Sequence, residues 1–323
     1  MNRHLSTFFI FTFGALGGLL FGFDTGIISG ASPLIESNFN LDIAQTGFIT
    51  SSVLIGSSVG ALGVGPLADK YGRKHLLILA AILFLLGSSL SMVAVGFWSM
   101  VIARIILGLA VGSASALTPA YLAELAPAER RGSLGTLFQL MITLGILLAY
   151  VSNLGFLHHN LLGMRDWRWM LGSALIPAAL LLIGGLLLPE SPRFLAEKGH
   201  TDQALSVLKM LRKNTADDPE KELAEIETVA HQPKGGVKEL FTIARPAVIV
   251  AVGIMLLQQL VGINSVIYFL PQVFIKGFGF QESSAIWISV GIGIVHFLVT
   301  VLATFIMDKF NRKTFVMFGS IVM

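Results

Sequence analysis

The sequence predicts an all-α membrane protein built as two helical bundles. Three observations carry this. The 323 residues are 54% apolar, with a mean hydropathy of +0.78, and 13% are charged where a soluble chain carries about a quarter. The apolar residues come in unbroken runs of span length, so the helices are hydrophobic all round rather than along one stripe. One loop also occurs twice: Asp69-Lys70-Tyr71-Gly72-Arg73-Lys74 returns as Asp308-Lys309-Phe310-Asn311-Arg312-Lys313, each between the second and third apolar runs of its half. A loop duplicated at matching positions marks a duplicated membrane unit.

Taken in order, the runs predict spans near 8–30, 44–65, 76–96, 98–120, 134–154, 170–188, 247–270 and 284–307. The first is of full span length, has no small-residue cleavage site and contains Asp24, so it is not read as a signal peptide. A ninth run opens at Thr314; ten helical residues reach ~15 Å against a ~30 Å hydrocarbon core, so the chain is expected to be cut inside a ninth span. The chain thus divides into a first six-helix bundle (1–188), a polar helical linker domain (189–246) and the truncated start of a second bundle (247–323).

Within the linker domain, Thr201 is placed to cap a helix bearing Ala204, Leu205, Leu208 and Leu211, and Pro219 to open a second one bearing Leu223, Ile226 and Ala230. Pro233 and the two glycines after Lys234 end that helix, and a short amphipathic piece at 237–243 follows. Glycines inside the spans (Gly14, Gly17, Gly18, Gly22, Gly56, Gly60, Gly108, Gly112, Gly291, Gly293) predict close helix–helix contacts.

Basic residues alternate between loops. Arg3, the Lys70–Lys74 loop, Arg130 and Arg131, the 189–246 segment and the Lys309–Lys313 loop fall on one side; Arg165, Arg168 and Lys276 fall on the other. The positive-inside rule makes the first side, with the N-terminus, cytoplasmic and predicts a multi-pass protein of the cytoplasmic membrane. The same rule accounts for the pI of 9.2 without nucleic acid as a partner. There are no cysteines, which excludes disulfides and thiolate metal sites, and the adjacent His158 and His159 have no carboxylate beside them. No metal and no cofactor are expected, and no obligate protein partner is evident.

Two formal charges lie well inside spans, Asp24 and Arg104. Either alone at mid-membrane would cost ~3 kcal/mol on insertion scales, so each needs the other or a wet cavity. A carboxylate pushed up by burial and down by a guanidinium can exchange a proton as access changes; the alternative is a static ion pair fixing helix packing. Beside them stands an uncharged set. Gln139 lies on span five, and Gln258, Gln259, Asn264, Ser265 and Tyr268 on span seven. Amides around a cavity both donate to and accept from a hydroxyl-rich neutral solute such as a sugar; the alternative is interhelical glue at ~1 kcal/mol per bond. His296 on span eight either lines the same cavity or bonds a neighbouring helix. An aqueous passage joining Asp24 to these amides is the expectation. A third group sits at the cytoplasmic ends: Asp69 and Arg73, Glu124 and Arg131, Glu190 and Arg193, with Asp308 and Arg312 in the second loop copy. It reads either as a gate of weak ion pairs or as topology-setting charge alone.

Four stretches make a pattern together: Gly65-Pro-Leu-Ala-Asp-Lys-Tyr-Gly-Arg-Lys74, Glu124 with Arg131-Gly132, Pro189-Glu-Ser-Pro-Arg-Phe-Leu195 and Gln258-Gln-Leu-Val-Gly-Ile-Asn264. They resemble the sugar porters of the major facilitator superfamily, from about residue 10 to the end of the chain. Phe21-Gly-Phe-Asp24-Thr-Gly-Ile-Ile-Ser-Gly30 resembles the first helix of the bacterial proton-linked members. The resemblance implies the major facilitator fold, with twelve helices in two bundles, and alternating access around a central monosaccharide site. It implies that Asp24 takes the coupling proton with Arg104 tuning it, and that Gln139, Gln258, Gln259, Asn264 and Tyr268 meet the sugar. His296 stands where the family usually has Asn, and Asn311 replaces the Gly of the second loop. Helices ten to twelve would lie beyond Met323, so this stretch alone is not expected to transport. The function expected is import of a hexose or pentose with a proton. A uniporter and a non-transporting sugar sensor are the alternatives; an enzyme is not expected, because no catalytic dyad, metal set or phosphate loop occurs.

Overall fold

The computed structural model describes residues 7–127, 131–159, 163–213, 218–230, 242, 245–306 and 317. Among them, eight helical segments are long and apolar enough to cross a membrane. Span one is α1 (Thr7–Gly14) continued by α2 (Leu16–Phe39). Spans two to five are α3 (Ile43–Tyr71), α4 (Arg73–Met92), α5 (Phe97–Leu125) and α6 (Arg131–Phe156). Span six is α7 (Asp166–Ser173) followed by α8 (Leu175–Leu187). Three short helices follow: α9 (Pro192–Glu197), α10 (Thr201–Leu211) and α11 (Pro219–Ala230). Span seven is α12 (Arg245–Leu260), α13 (Ile263–Gln272) and a π-helical turn Val273–Gly277; span eight is α14 (Glu282–Ile306). The pieces of the repeated loop and ninth run beyond 306, the break at 233–236 and nearly all of 237–243 lie outside the described residues.

Most spans overrun their apolar windows. α2 continues to Phe39, and Asn40, with φ 50°, closes it by returning its N–H to Glu36. Asp42 then caps α3 with a reciprocal box: it accepts the Gln45 N–H at 2.7 Å while Gln45 Oε1 accepts its own N–H at 3.1 Å. Hydropathy finds where a helix crosses lipid; capping chemistry decides where it ends in water, and the second signal is local.

α2 is the axis of the first bundle, buried from Leu16 to Ser32 except at the half-buried Phe21. It packs on α6, while α5 packs on both α3 and α4, and α4 on α8. Glycine makes these contacts backbone-to-backbone. A Cβ at Gly22 would lie 1.9 Å from the Ile142 carbonyl oxygen, and one at Gly56 would lie 2.1 Å from that of Ile105. Gly18, Gly60, Gly108 and Gly112 are equally crowded, whereas Gly291 faces open space and carries no contact of this kind. Outer faces stay apolar, with Leu54, Val59 and Leu62 of α3 exposed, as lipid-facing helices should be, because lipid gives no drive to bury them.

The linker helices form their own small core of Leu195, Ala204, Leu208 and Leu223. The cap differs from the one expected. His200 occupies the N-cap of α10 without a side-chain bond, and the Thr201 hydroxyl instead donates to Glu227 Oε1 of α11 at 2.9 Å. Pro219 does open α11. Arg212, fully buried, binds Glu222 through two bonds of 2.7 and 2.8 Å and donates a third, of 2.9 Å, to the Leu125 carbonyl at the end of α5. One side chain thereby joins the two linker helices to the bundle.

Span seven is broken. Gly262, at φ 77°, turns the chain between α12 and α13. α13 packs on α2 and α14 on α6, whereas α12 buries none of its residues. The buried positions of α14 (Ala285, Ile286, Ser289, Val290, Gly293) all lie in its first half. Counting crossings puts that half at the Glu36 end of the molecule and α12 at the Gly72 end. The two bundles therefore meet at the Glu36 end and part toward the Gly72 end.

Candidate functional site

Asp24 and Arg104 face each other across α2 and α5. Arg104 Nη1 donates to Asp24 Oδ1 in a very short bond, and Nη2 donates to Oδ2 at 3.2 Å. Asp24 is 1% exposed and Arg104 is fully buried. The fork-on-carboxylate pairing lets each charge offset the other's desolvation, which neither could sustain alone. The expected aqueous passage does not reach the carboxylate in this conformation: α2, α5 and span seven close around it.

What comes to the pair from the second bundle is Tyr268. It lies on α13, which packs on α2, and is buried in one core cluster with Phe23 and Ile27 of α2 and Leu107 of α5, the sequence neighbours of Asp24 and Arg104. Two residues of α6 that sequence reasoning passed over complete the surround. Asn153 Nδ2 donates to the Gly26 carbonyl at 3.0 Å, and Tyr150 donates to the Ile267 carbonyl at 3.4 Å. A lone Asn and Tyr in an apolar span gave no spacing signal; Gly30, whose absent side chain lets Asn153 approach, was the available one.

The amides do not form a closed ring. Gln139 is exposed on α6, and Gln258 and Gln259 are exposed on α12. Asn264, half-buried at the start of α13, donates to Gln259 Oε1 at 2.9 Å across the Gly262 break. Among the described residues no hydrogen bond joins Gln258 or Gln259 to Gln139 or to Asp24. The break explains this: α13 follows α2 inward, while α12 swings free. His296 is half-buried on α14, just beyond the last position that packs on α6.

At the Gly72 end the charges pair differently from their spacing. Arg73 binds Asp69 at 3.2 Å, one turn back, but also Glu124 of α5 at 3.1 Å, and its Nη1 donates to the Ala68 carbonyl at 3.0 Å. Glu190 does not bind Arg193, which is exposed and makes no ion pair among the described residues. Its Oε1 instead accepts the backbone N–H groups of Arg73, Lys74 and Ser191 at 3.0, 3.1 and 2.9 Å. A carboxylate there satisfies the orphan donors of α4 and meets the positive end of its dipole. Gly72, at φ +93°, makes room, since a Cβ would sit 2.3 Å from Glu190 Oε2. Tyr121 adds a 2.6 Å bond to the Pro189 carbonyl. The Arg131 side chain, Asp308 and Arg312 lie outside the described residues.

Among the described residues, the site is a buried ion pair inside the first bundle and an ordered charge cluster at the Gly72 end. The family model described as "Sugar (and other) transporter" matches residues 10–323. This chain belongs to the sugar porter family of the major facilitator superfamily. A D-xylose transporter of Levilactobacillus brevis is 48% identical over 322 residues, covering 99% of this chain and 69% of that protein. A galactose-proton symporter of Escherichia coli is 40% identical over 320 residues, covering 98% and 68%. Among solved structures, the xylose transporter XylE from E. coli in a partially occluded inward open conformation superposes with a TM-score of 0.80 at 33% identity, covering 95% of this chain and 74% of that one. The chain is thus a multi-pass membrane protein with the major facilitator fold, in a family of sugar transporters rather than enzymes.

Proposed function

We propose that this protein imports a monosaccharide together with a proton across the bacterial cell membrane, by alternating access, with the Gly72 end and the N-terminus in the cytoplasm. The observation that carries the reading is the sealed Asp24–Arg104 pair, with α13 of the second bundle packed on α2 and its Tyr268 buried among Phe23, Ile27 and Leu107. A pair that only fixed packing within the first bundle would need nothing from the second. Here Tyr268 lies four residues beyond Asn264, so one turn of α13 links the acid to an amide that can meet a sugar hydroxyl.

The mechanism follows from the geometry. Parting of the bundles at the Glu36 end withdraws α13 and exposes Asp24 to outside water, where it takes a proton at Oδ and loosens from Arg104. Sugar then fills the space lined by Gln139, Gln258, Gln259, Asn264, Tyr268 and His296. Closure at that end and parting at the other presents both to the cytoplasm, and Arg104 reclaims the carboxylate once the proton leaves. The coupling ion is the one named for a relative, a galactose-proton symporter. D-xylose is the first sugar to try, since a relative bearing that name is 48% identical.

The test is external pH in lightly buffered, energy-depleted cells producing the protein. Adding D-xylose, or in parallel D-glucose and D-galactose, should raise external pH as sugar enters. Uptake without a pH change would make the protein a uniporter and Asp24 structural.

A further inference from the structure

Alternating access requires that whatever joins the bundles at one end must break when that end opens. Bonds within a bundle are exempt. Among the described residues, the charged side chains that bond across the two bundles are Glu36 and Lys276. Lys276 Nζ donates to Glu36 Oε1 at 2.6 Å, and Gln272 Nε2 donates to Ser32 Oγ at 3.1 Å and to Glu36 Oε2 at 3.4 Å. Ser32 and Glu36 lie one turn apart on α2; Gln272 and Lys276 lie one turn apart on span seven, the latter in its π-helical turn. The two faces therefore meet as a matched four-residue set.

We propose that Ser32, Glu36, Gln272 and Lys276 form a clasp across the outer mouth whose strength sets the balance between the outward-open and inward-open states. They are positioning residues of the transport cycle that touch neither sugar nor proton, and the assignment of a cycle to them rests on the function proposed above. The clasp is built to be weak. Lys276 is 45% exposed and Glu36 19%, so solvent screens the ion pair, while the Gln272 bonds are amide contacts of ordinary strength. A fully buried pair would lock the mouth; a half-shielded one holds it closed yet opens on each turnover. The Ser32–Glu36 half of the set lies on the Asp24 helix, Glu36 twelve residues on, so that half of the clasp and the proton site move as one piece of α2.

These 323 residues contain no cysteine, so a label can be placed within them at will, any cysteine elsewhere in the protein being replaced first. Spin labels at Ser37→Cys and Gln281→Cys, both exposed and outside the clasp, report the width of the mouth by double electron–electron resonance in the full-length protein in nanodiscs. Glu36→Gln and Lys276→Met should each raise the population of the long distance on the order of threefold to tenfold. The exchanged pair, Glu36→Lys with Lys276→Glu, should return it toward the parent value. Single variants with an unaltered distance distribution, or an exchanged pair that is as open as the singles, would overturn the clasp. These distances need neither sugar nor a proton gradient, so failure of sugar–proton coupling would leave this result standing, and failure of the clasp would leave the coupling assay standing.

Discussion

At the scale of single residues, burial decides what each charge can do. Asp24 and Arg104 sit eighty residues apart in sequence and were legible as partners because no other formal charge falls well inside an apolar run, and lipid tolerates neither alone. Removing one side of such a pair leaves an unpaired buried charge, a cost of ~3–5 kcal/mol. Arg104→Gln is therefore expected to lower thermal stability in detergent sharply, and Arg104→Lys less, with the loss relieved in part when Asp24→Asn is added. Equal loss in the single and double variants would mean that the two do not compensate each other. Gly22 illustrates the other residue-level constraint. With the Ile142 carbonyl where a Cβ would go, Gly22→Val must push α2 off α6, and overpacking of this kind costs ~1–3 kcal/mol. A lower unfolding temperature than for Gly291→Val, where nothing is in the way, is the expected reading.

At the scale of elements, the sequence showed where helices cross and was silent on where they break. The apolar run from Pro246 to Pro271 is continuous apart from its amides, and Gly262 in it resembles any packing glycine; nothing local announces a left-handed turn that separates α12 from α13. The consequence is large, because that break buries Tyr268 against α2 and leaves Gln258 and Gln259 exposed on α12. The partners of Glu190 were hidden for a related reason. Its neighbour in sequence, Arg193, is a charge at helical spacing, but the unsatisfied N–H groups at the start of α4 are the stronger attraction for a half-buried carboxylate. Arg212 and Glu222, ten residues apart across a helix–helix turn, offer no periodic signal at all. Glu190→Ala should destabilise by ~0.5–2 kcal/mol, the range for a lost N-cap, and should speed hydrogen exchange at Arg73 and Lys74 ahead of the rest of α4. Unchanged protection there would show that another group caps the helix.

At the scale of the whole molecule, the duplicated loop and the run of spans were enough for the fold, since period and charge alternation are global properties that survive local surprises. Which end is open was not readable from sequence, because both conformations bury the same kinds of residue. It rests on packing: α13 and the first half of α14 press on α2 and α6, while α12 stands clear. A cysteine introduced at Gln139 or Gln258 should therefore react with an impermeant thiol reagent supplied from the Gly72 side and resist it from the Glu36 side; faster labelling from the Glu36 side would invert the assignment.

Whether proton movement is tied to sugar movement at Asp24 is decided by separating exchange from accumulation in proteoliposomes of the full-length protein. With Asp24→Asn, radiolabelled D-xylose (or whichever sugar alkalinises the medium for the parent protein) should still exchange between equal internal and external pools, because the pocket and the rocking of the bundles remain. Accumulation against a sugar gradient under an imposed proton gradient should vanish. Accumulation at the parent level in that variant would contradict the account.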